Sequence, residues 1–290
     1  MDSLISFFDN LPVFFRSIIL IGGIALFWIL EGVFPIFQSK YSRIRHAGIN
    51  LFFTVTTAIV GFGLAGVLLW TSDFVSAREI GLLYIIDLPL WAQMVVGVLL
   101  MDLIGAYFIH WLSHRVKWMW KFHVVHHSDT NVDVTTGLRQ HPGETIFRIF
   151  FTIMAVCLIG APMWIIMIYQ SMSVLAAHIS HANVNLPAAI DRGLSFVFVT
   201  PHVHKVHHHY KRPLTDTNYG NIFIIWDRLF GTFKTVSNTN ELIYGVDTHM
   251  ESKENSSISN LLAIPFQPYR EPAESELGSE GGVADDAFSK

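Results

Sequence analysis

Three stretches of this chain carry imidazoles at spacings that can hold metal. They read His110-Trp-Leu-Ser-His114, His123-Val-Val-His126-His127 and His204-Lys-Val-His207-His208. On a helix, residues three or four apart share one face, so each stretch presents its histidines as a set. Imidazole is the side chain that binds transition metals at neutral pH. In each HxxHH triple the adjacent pair fans out. One triple can therefore feed one metal with some residues and a neighbouring metal with another. His181 makes nine imidazoles, and His178, one helical turn before it, makes ten. A closed structural zinc site takes about four ligands and would leave half of them unused. The count suits two metals.

Imidazole alone does not choose among zinc, copper, iron and nickel. The setting narrows the chemistry. The chain has 290 residues, of which 51% are hydrophobic and only 14% charged, with 23 Phe and 8 Trp. Its mean hydropathy is +0.42, the balance of a polytopic membrane protein. Two metals at a membrane surface, beside an apolar scaffold, point to oxygen activation. Non-haem iron with open positions binds dioxygen, and the resulting oxidant attacks unactivated C–H bonds. The net charge is -4 and no basic run is present, so nucleic acid is not an expected partner. The single cysteine, Cys157, excludes an intrachain disulfide and any thiolate-bound cluster. The first residues lack the pattern of a removable signal peptide.

The positioning elements follow from hydropathy. Membrane spans are expected over residues 13–37, 49–71 and about 88–108. The basic loop holding Lys40, Arg43 and Arg45 should be cytoplasmic, and Arg115, Lys117, Lys121, Lys205, Lys211, Arg212, Arg228 and Lys234 mark the same side. Asp102 lies at membrane depth and is a functional candidate on that ground. Residues 146–177 are apolar but broken by Gly160-Ala161-Pro162. Pro ends a helix, so two helices should form a membrane hairpin. The hairpin returns the chain to the side it left, which the histidines on both flanks require. The expected fold is all-α: a polytopic integral membrane helical bundle with a cytoplasm-facing, histidine-rich di-metal site. Its parts would be N-terminal transmembrane helices (1–109), a histidine-motif catalytic domain with the hairpin (110–235), and a C-terminal extension (236–290). The last stretch, 271–290, is expected to be a disordered acidic tail.

The order of these motifs, with His181-Ala-Asn183, Asn218-Tyr219-Gly220 and Trp226-Asp-Arg-Leu-Phe-Gly-Thr, resembles the fatty acid hydroxylase / sterol desaturase superfamily. The resemblance covers roughly residues 102–233. It implies a membrane-bound oxygenase with two histidine-bound iron ions and dioxygen as co-substrate. It implies a lipid substrate and electrons from a separate small redox protein, a b-type cytochrome or ferredoxin-like donor. Carried over by motif, the metal ligands are His110, His114, His123, His126, His127, His181, His204, His207 and His208, with His178 as a tenth. Asp102 resembles the acidic residue before the first motif. Asn131, Thr135, Arg139, Pro142 and Glu144 resemble the segment after the second. The chain departs from the pattern at Trp111, where arginine is common, and in the extra His202 and His209. Metal-bound imidazoles need acceptors for their second nitrogens, and Asp102 and Asn131 are the candidates. His46, His141 and His249 read as ordinary structural histidines. The rivals are a zinc-dependent membrane hydrolase, which would want a Glu beside a histidine pair, and a metal transporter or sensor, which would thread ionisable residues through the spans.

Overall fold

The computed structural model describes residues 1–38 and 40–273. The expected acidic tail lies, from residue 274 on, outside the described residues. Regular structure among them is helical, with two isolated bridges, Phe198 to Phe223 and His209 to Tyr244. A short amphipathic helix α1 (Asp2–Asp9) leads in. Five helices are long and apolar enough to cross a membrane. Four are α2 (Phe14–Val33), α4 (Leu90–Arg115), α6 (Pro142–Ile159) and α7 (Met163–His181). The fifth, α3 (Arg43–Ala77), has 35 residues and spans about 52 Å at 1.5 Å per residue. That exceeds a hydrocarbon core of about 30 Å, so α3 runs well past the expected 49–71 span. Phe62 on it is 86% exposed, the position of a lipid-facing side chain. The other elements that concern the site are α5 (Lys117–His127), α8 (Pro201–His207) and α9 (Ile258–Ala263).

Helix α3 starts inside the stretch expected to be a basic loop. Ser42 caps it by accepting a hydrogen bond from the Arg45 amide. This brings Arg43 onto Glu31 of α2 at 2.8 Å, and turns His46 and Asn50 inward. Arg43 is thus the partner of a buried carboxylate.

The hairpin forms as its sequence requires. Gly160 ends α6 with φ +75°, and Pro162 opens α7. The turn packs against the chain after α3. A Cβ on Gly160 would lie 2.4 Å from the Ile80 carbonyl oxygen, and one on Gly81 would lie 2.2 Å from the Gly160 nitrogen. One core then fills the space between α4, α6 and α7 with Met101, Val156, Ile159, Trp164 and Ile165. A second joins Phe53 of α3 to Trp120, Val124 and Val125 of α5 and to Val246, Leu261 and Ile264. Val246, Leu261 and Ile264 are thereby packed onto the histidine region. Within the stretch after residue 235, Ser252–Asn255 and α9 are helical despite their serine content.

Within α4, residues Leu103–Phe108 make a π-helical turn. Such a turn inserts a residue into the helix and re-aims the side chains that follow. His110 is two positions beyond it.

Gly160→Val should be destabilising, because it adds both a strained φ and a clash. A cost of about 1–3 kcal/mol is expected. It would be read as a lower melting temperature of the detergent-solubilised chain.

Candidate metal centre

Nine buried histidines converge on one end of the bundle. They divide into two groups. His110, His114, His123, His127 and His207 form one; His126, His181, His204 and His208 form the other. Within each group one ligand atom per residue lies within 4.8 Å of all the others. The two HxxHH triples split between the groups. The first sends His123 and His127 one way and His126 the other; the second sends His204 and His208 one way and His207 the other. The rings of His127 and His208, one from each group, stack at 4.7 Å.

Backbone and carboxylate acceptors fix which nitrogen carries hydrogen in six of the nine rings. Nδ1 of His110 donates to the Tyr219 carbonyl at 2.8 Å, and Nδ1 of His207 to the Thr217 carbonyl at 2.6 Å. Nδ1 of His126 donates to the Thr136 carbonyl at 3.2 Å, and Nδ1 of His181 to the Ala177 carbonyl at 2.8 Å. Nδ1 of His123 donates to Glu144 at 2.9 Å, and Nδ1 of His114 to Asp216 at 3.2 Å. Each neutral ring then keeps a lone pair on Nε2. Yet Nε2 of His207 is 3.0 Å from Nε2 of His110, and Nε2 of His181 is 3.2 Å from Nε2 of His126. Two lone pairs that close repel, and a shared cation reconciles them. A proton is a poor candidate. Burial, with neighbouring positive charge, draws His126 down to about 3, and burial and the other histidines hold His123, His127, His204, His207 and His208 well below the ordinary imidazole value. Both ring nitrogens of His127 and His208, and Nε2 of His114 and His123, are buried without a hydrogen-bond partner. Unpaired buried nitrogens around a common point are what a metal site leaves when only protein is considered. An all-imidazole donor set of five and four fits two transition metals.

The supporting layer differs from the expected one. Asp102 touches none of these histidines. It accepts the amides of Ile222 (3.2 Å) and Phe223 (3.3 Å) and the indole N–H of Trp226 (3.0 Å). Asp227 accepts the amides of Tyr219 (2.7 Å) and Gly220 (2.8 Å). Together they hold the 217–226 loop, whose carbonyls orient His110 and His207. Asp102 therefore acts one step further out than the sequence reading put it. Asn131 lies elsewhere: its amide nitrogen donates to Asp129, and its side chain to Thr130. The acceptor roles assigned to Asp102 and Asn131 are filled by Glu144, Asp216 and backbone carbonyls. Glu144 was noted only as part of a segment; Asp216 was missed. The signal for Asp216 was a lone acid close behind a histidine triple, with no spacing rule to single it out.

His178 is absent from both groups. Its ring packs on α2 instead, where a Cβ on Gly23 would lie 2.4 Å from its Nδ1. His202 is held by Thr239 (2.8 Å) and Asn185 (3.2 Å), and His209 lies outside both groups. His141 caps α6 by accepting the Gly143 amide and reaches the Leu262 carbonyl.

A second polar cluster flanks the centre. His46 sits between Asp129 (2.8 Å) and Asp133 (3.0 Å). Burial alone would raise Asp129, but the fields of His46 and Arg139 outweigh it and hold the carboxylate well below its usual range. Glu31 accepts the amides of Val134 (2.6 Å) and Asn183 (2.9 Å), tying α2 to the segments after α5 and α7. Lys205, expected as a surface charge, is fully buried and donates to the His181 carbonyl. Burial draws its ammonium down to about 7 against the pull of Glu31, Asp133 and Asp129.

Above the histidines lies a cavity of about 260 Å³, floored by His110, His123, His126, His181 and His204. Gly105, Ala106, Gly137 and Ala177 keep it open.

An all-helical, multi-pass membrane architecture with two buried imidazole groups under a cavity defines a class of membrane metalloprotein. Residues 94–232 match the fatty acid hydroxylase family. The ornithine lipid hydroxylase OlsE of Rhizobium tropici is 32% identical over 145 residues, 50% of this chain and 43% of that protein. The alkylglycerol monooxygenase of Homo sapiens is 32% identical over 148 residues, 50% of this chain and 31% of that protein. Methylsterol monooxygenase 2-2 of Arabidopsis thaliana is 27% identical over 161 residues, 54% of this chain and 59% of that protein. The chain thus spans less than two thirds of the length of each of these relatives. No solved structure matches it. Residues 94–232 are therefore similar to the fatty acid hydroxylase family and to these lipid hydroxylases and monooxygenases.

Two outcomes follow. Glu144→Gln and Asp216→Asn should each weaken metal retention about 10- to 100-fold, read as metal per chain after dialysis against a chelator. Lys205→Met removes the buried donor to the His181 carbonyl and should cost about 1–3 kcal/mol, read as a melting temperature in detergent.

Proposed function

We propose that this chain is an O2-dependent lipid oxidoreductase, a hydroxylase or desaturase, with two iron ions held by the nine converging histidines. The observation that carries the reading is the placement of two all-imidazole groups at the floor of a cavity walled by membrane helices. Iron bound there would supply the dioxygen chemistry that attacks an unactivated C–H bond. The chain's own residues do the rest. Glu144, Asp216 and the 217–226 loop hold His123, His114, His110 and His207 with Nδ1 protonated and Nε2 turned inward. Small residues on α4 and α7 leave room for a hydrocarbon chain over the histidines, and the surrounding helices keep bulk water away.

In hydroxylation one oxygen atom enters the C–H bond and the other leaves as water. In desaturation two hydrogens leave and both oxygen atoms become water. Each needs two electrons from outside, and a b-type cytochrome or ferredoxin-like protein is the proposed donor. The basic residues Arg115, Lys117, Lys121, Lys211 and Arg212 lie close in sequence to the histidine motifs, which supports placing the site on the cytoplasmic face. Residues 110–235 then form the catalytic unit and residues 1–109 its membrane scaffold.

Comparative lipid analysis of cells with and without the chain, grown under air, is the direct test. Wild type should give a lipid that has gained one oxygen or lost two hydrogens. His127→Ala and His208→Ala should each abolish that product. An unchanged lipid profile, with purified protein that holds zinc and never iron, would overturn the proposal.

A further inference from the structure

Asp102 takes no part in the histidine groups, and what it holds sets the depth of another segment. Helix α4 is about 39 Å long at about 1.5 Å per residue. A hydrocarbon core of about 30 Å, wherever it falls on that helix, covers everything from about 9 to about 30 Å beyond Leu90. Asp102 at about 18 Å and Tyr107 at about 26 Å are both inside it. The loop after α8 descends to that level and returns. It starts with Tyr219 beside His110. Ile222, Phe223 and Trp226 are bonded to Asp102, about 12 Å deeper along α4. Phe230 stacks on Tyr107 at 5.4 Å, and the Thr232 carbonyl is back at the Asn218 amide. Residues 195–198 go down beside this loop. Phe198 stacks on Phe223 at 5.8 Å, and the Ile224 amide donates to the Val197 carbonyl at 3.0 Å.

Two features of this segment fit hydrocarbon. Its outer face is apolar and uncovered: Leu229 is 69% exposed, Phe230 55% and Phe196 51%, with Val197 and Phe198 exposed beside them. Through Phe230 and Tyr107 this face continues onto α4, where Phe108 is exposed as well. The second feature is its backbone. Irregular chain at membrane depth must find its hydrogen-bond partners within the protein. The amides of Ile222 and Phe223 go to Asp102, those of Tyr219 and Gly220 to Asp227, and that of Val199 to the Ile222 carbonyl. Arg228 donates to the Ser195 carbonyl at 2.8 Å and lies over the Phe233 ring at 3.8 Å. We propose that residues 195–198 and 222–230 form a wedge that enters the membrane and returns, its outer face against the acyl chains of the leaflet on the metal-centre side. The wedge is additional to the five spans, and Asp102 is the group that seats it. It stands whatever chemistry the histidines perform.

The experiment uses the full chain in phosphatidylcholine vesicles. Cys157→Ser is the background, so that one added thiol carries an environment-sensitive fluorophore. Phe196→Cys and Leu229→Cys report on the wedge, Phe62→Cys on the lipid-facing side of α3, and Lys253→Cys on an exposed polar position. Lipids brominated in their acyl chains should quench the labels at 196 and 229 to about half or more of the extent at 62, and leave the label at 253 unchanged. Aqueous iodide should give the reverse order. The unsubstituted chain supplies a second measurement, free of any folding defect in the variants. A phosphatidylcholine with a photoreactive diazirine in its acyl chain should leave adducts on the peptides that hold 195–198 and 229–230. Iodide quenching at 196 and 229 as strong as at 253 overturns the proposal, and so do adducts confined to the five spans. Labels at 196 and 229 shielded from both quenchers would show that protein, such as a second copy of the chain, covers the face, and that result overturns it too.

Discussion

The constraint on which the structure depends is repulsion among neutral imidazoles. Nine rings are packed into a space where several Nε2 lone pairs face each other at about hydrogen-bond distance with no hydrogen between them. Burial makes protonation costly, so the ordinary escape is closed. A cation at the centre of each group would turn mutual repulsion into shared attraction. The fold must hold the rings in place before that happens, and it does so through Nδ1. Two acceptors are carboxylates, on α6 and on the loop after α8. The others are backbone carbonyls, which neither titrate nor rotate. The 217–226 loop supplies no ligand, yet its carbonyl positions matter, and two buried aspartates clamp it.

This arrangement shows how much of the molecule was readable in the sequence. The helical class and the hairpin were legible because apolar length, glycine and proline act locally. The histidine groups were legible because i, i+3 and i+4 spacing is a local property of a helix. The split of each triple between two sites also followed from the fanning of the adjacent pair. What periodicity could not supply was long-range pairing. Asp102 stood out as a carboxylate at membrane depth, but its partners lie about 120 residues later in the chain. The same holds for Glu31, whose amide donors come from positions 134 and 183. His178 satisfied the helical rule for a ligand and still fell outside the cluster. Its ring is held by a glycine on another helix, which no spacing argument within α7 reveals.

Lys205 shows the limit of reading charge as topology. In the run from Pro201 to His209 it appears as one more basic residue beside a histidine triple. In the fold it is buried, within the field of Glu31, Asp133 and Asp129, and donates to the His181 carbonyl at the end of α7.

The acidic cluster and the histidine groups together explain why the two halves of the centre stay in register. α7 delivers His181, and α8 delivers His204, His207 and His208. Lys205 on α8 holds the carbonyl of His181 itself, so the ends of the two helices are linked next to the ligands they carry. Glu31 grips the chain just beyond both His127 and His181, at Val134 and Asn183. His46 adds α3 through Asp129 and Asp133. Three elements that supply no metal ligand, namely α2, the start of α3 and the segment from 129 to 136, thereby fix the separation of two groups that would otherwise push apart. The buried carboxylates are tolerated here because Glu31 is paired with Arg43, and Asp129 and Asp133 with His46, the condition under which burial of ions does not unfold a protein. The polar cluster is thus the frame that holds a nest of neutral imidazoles together.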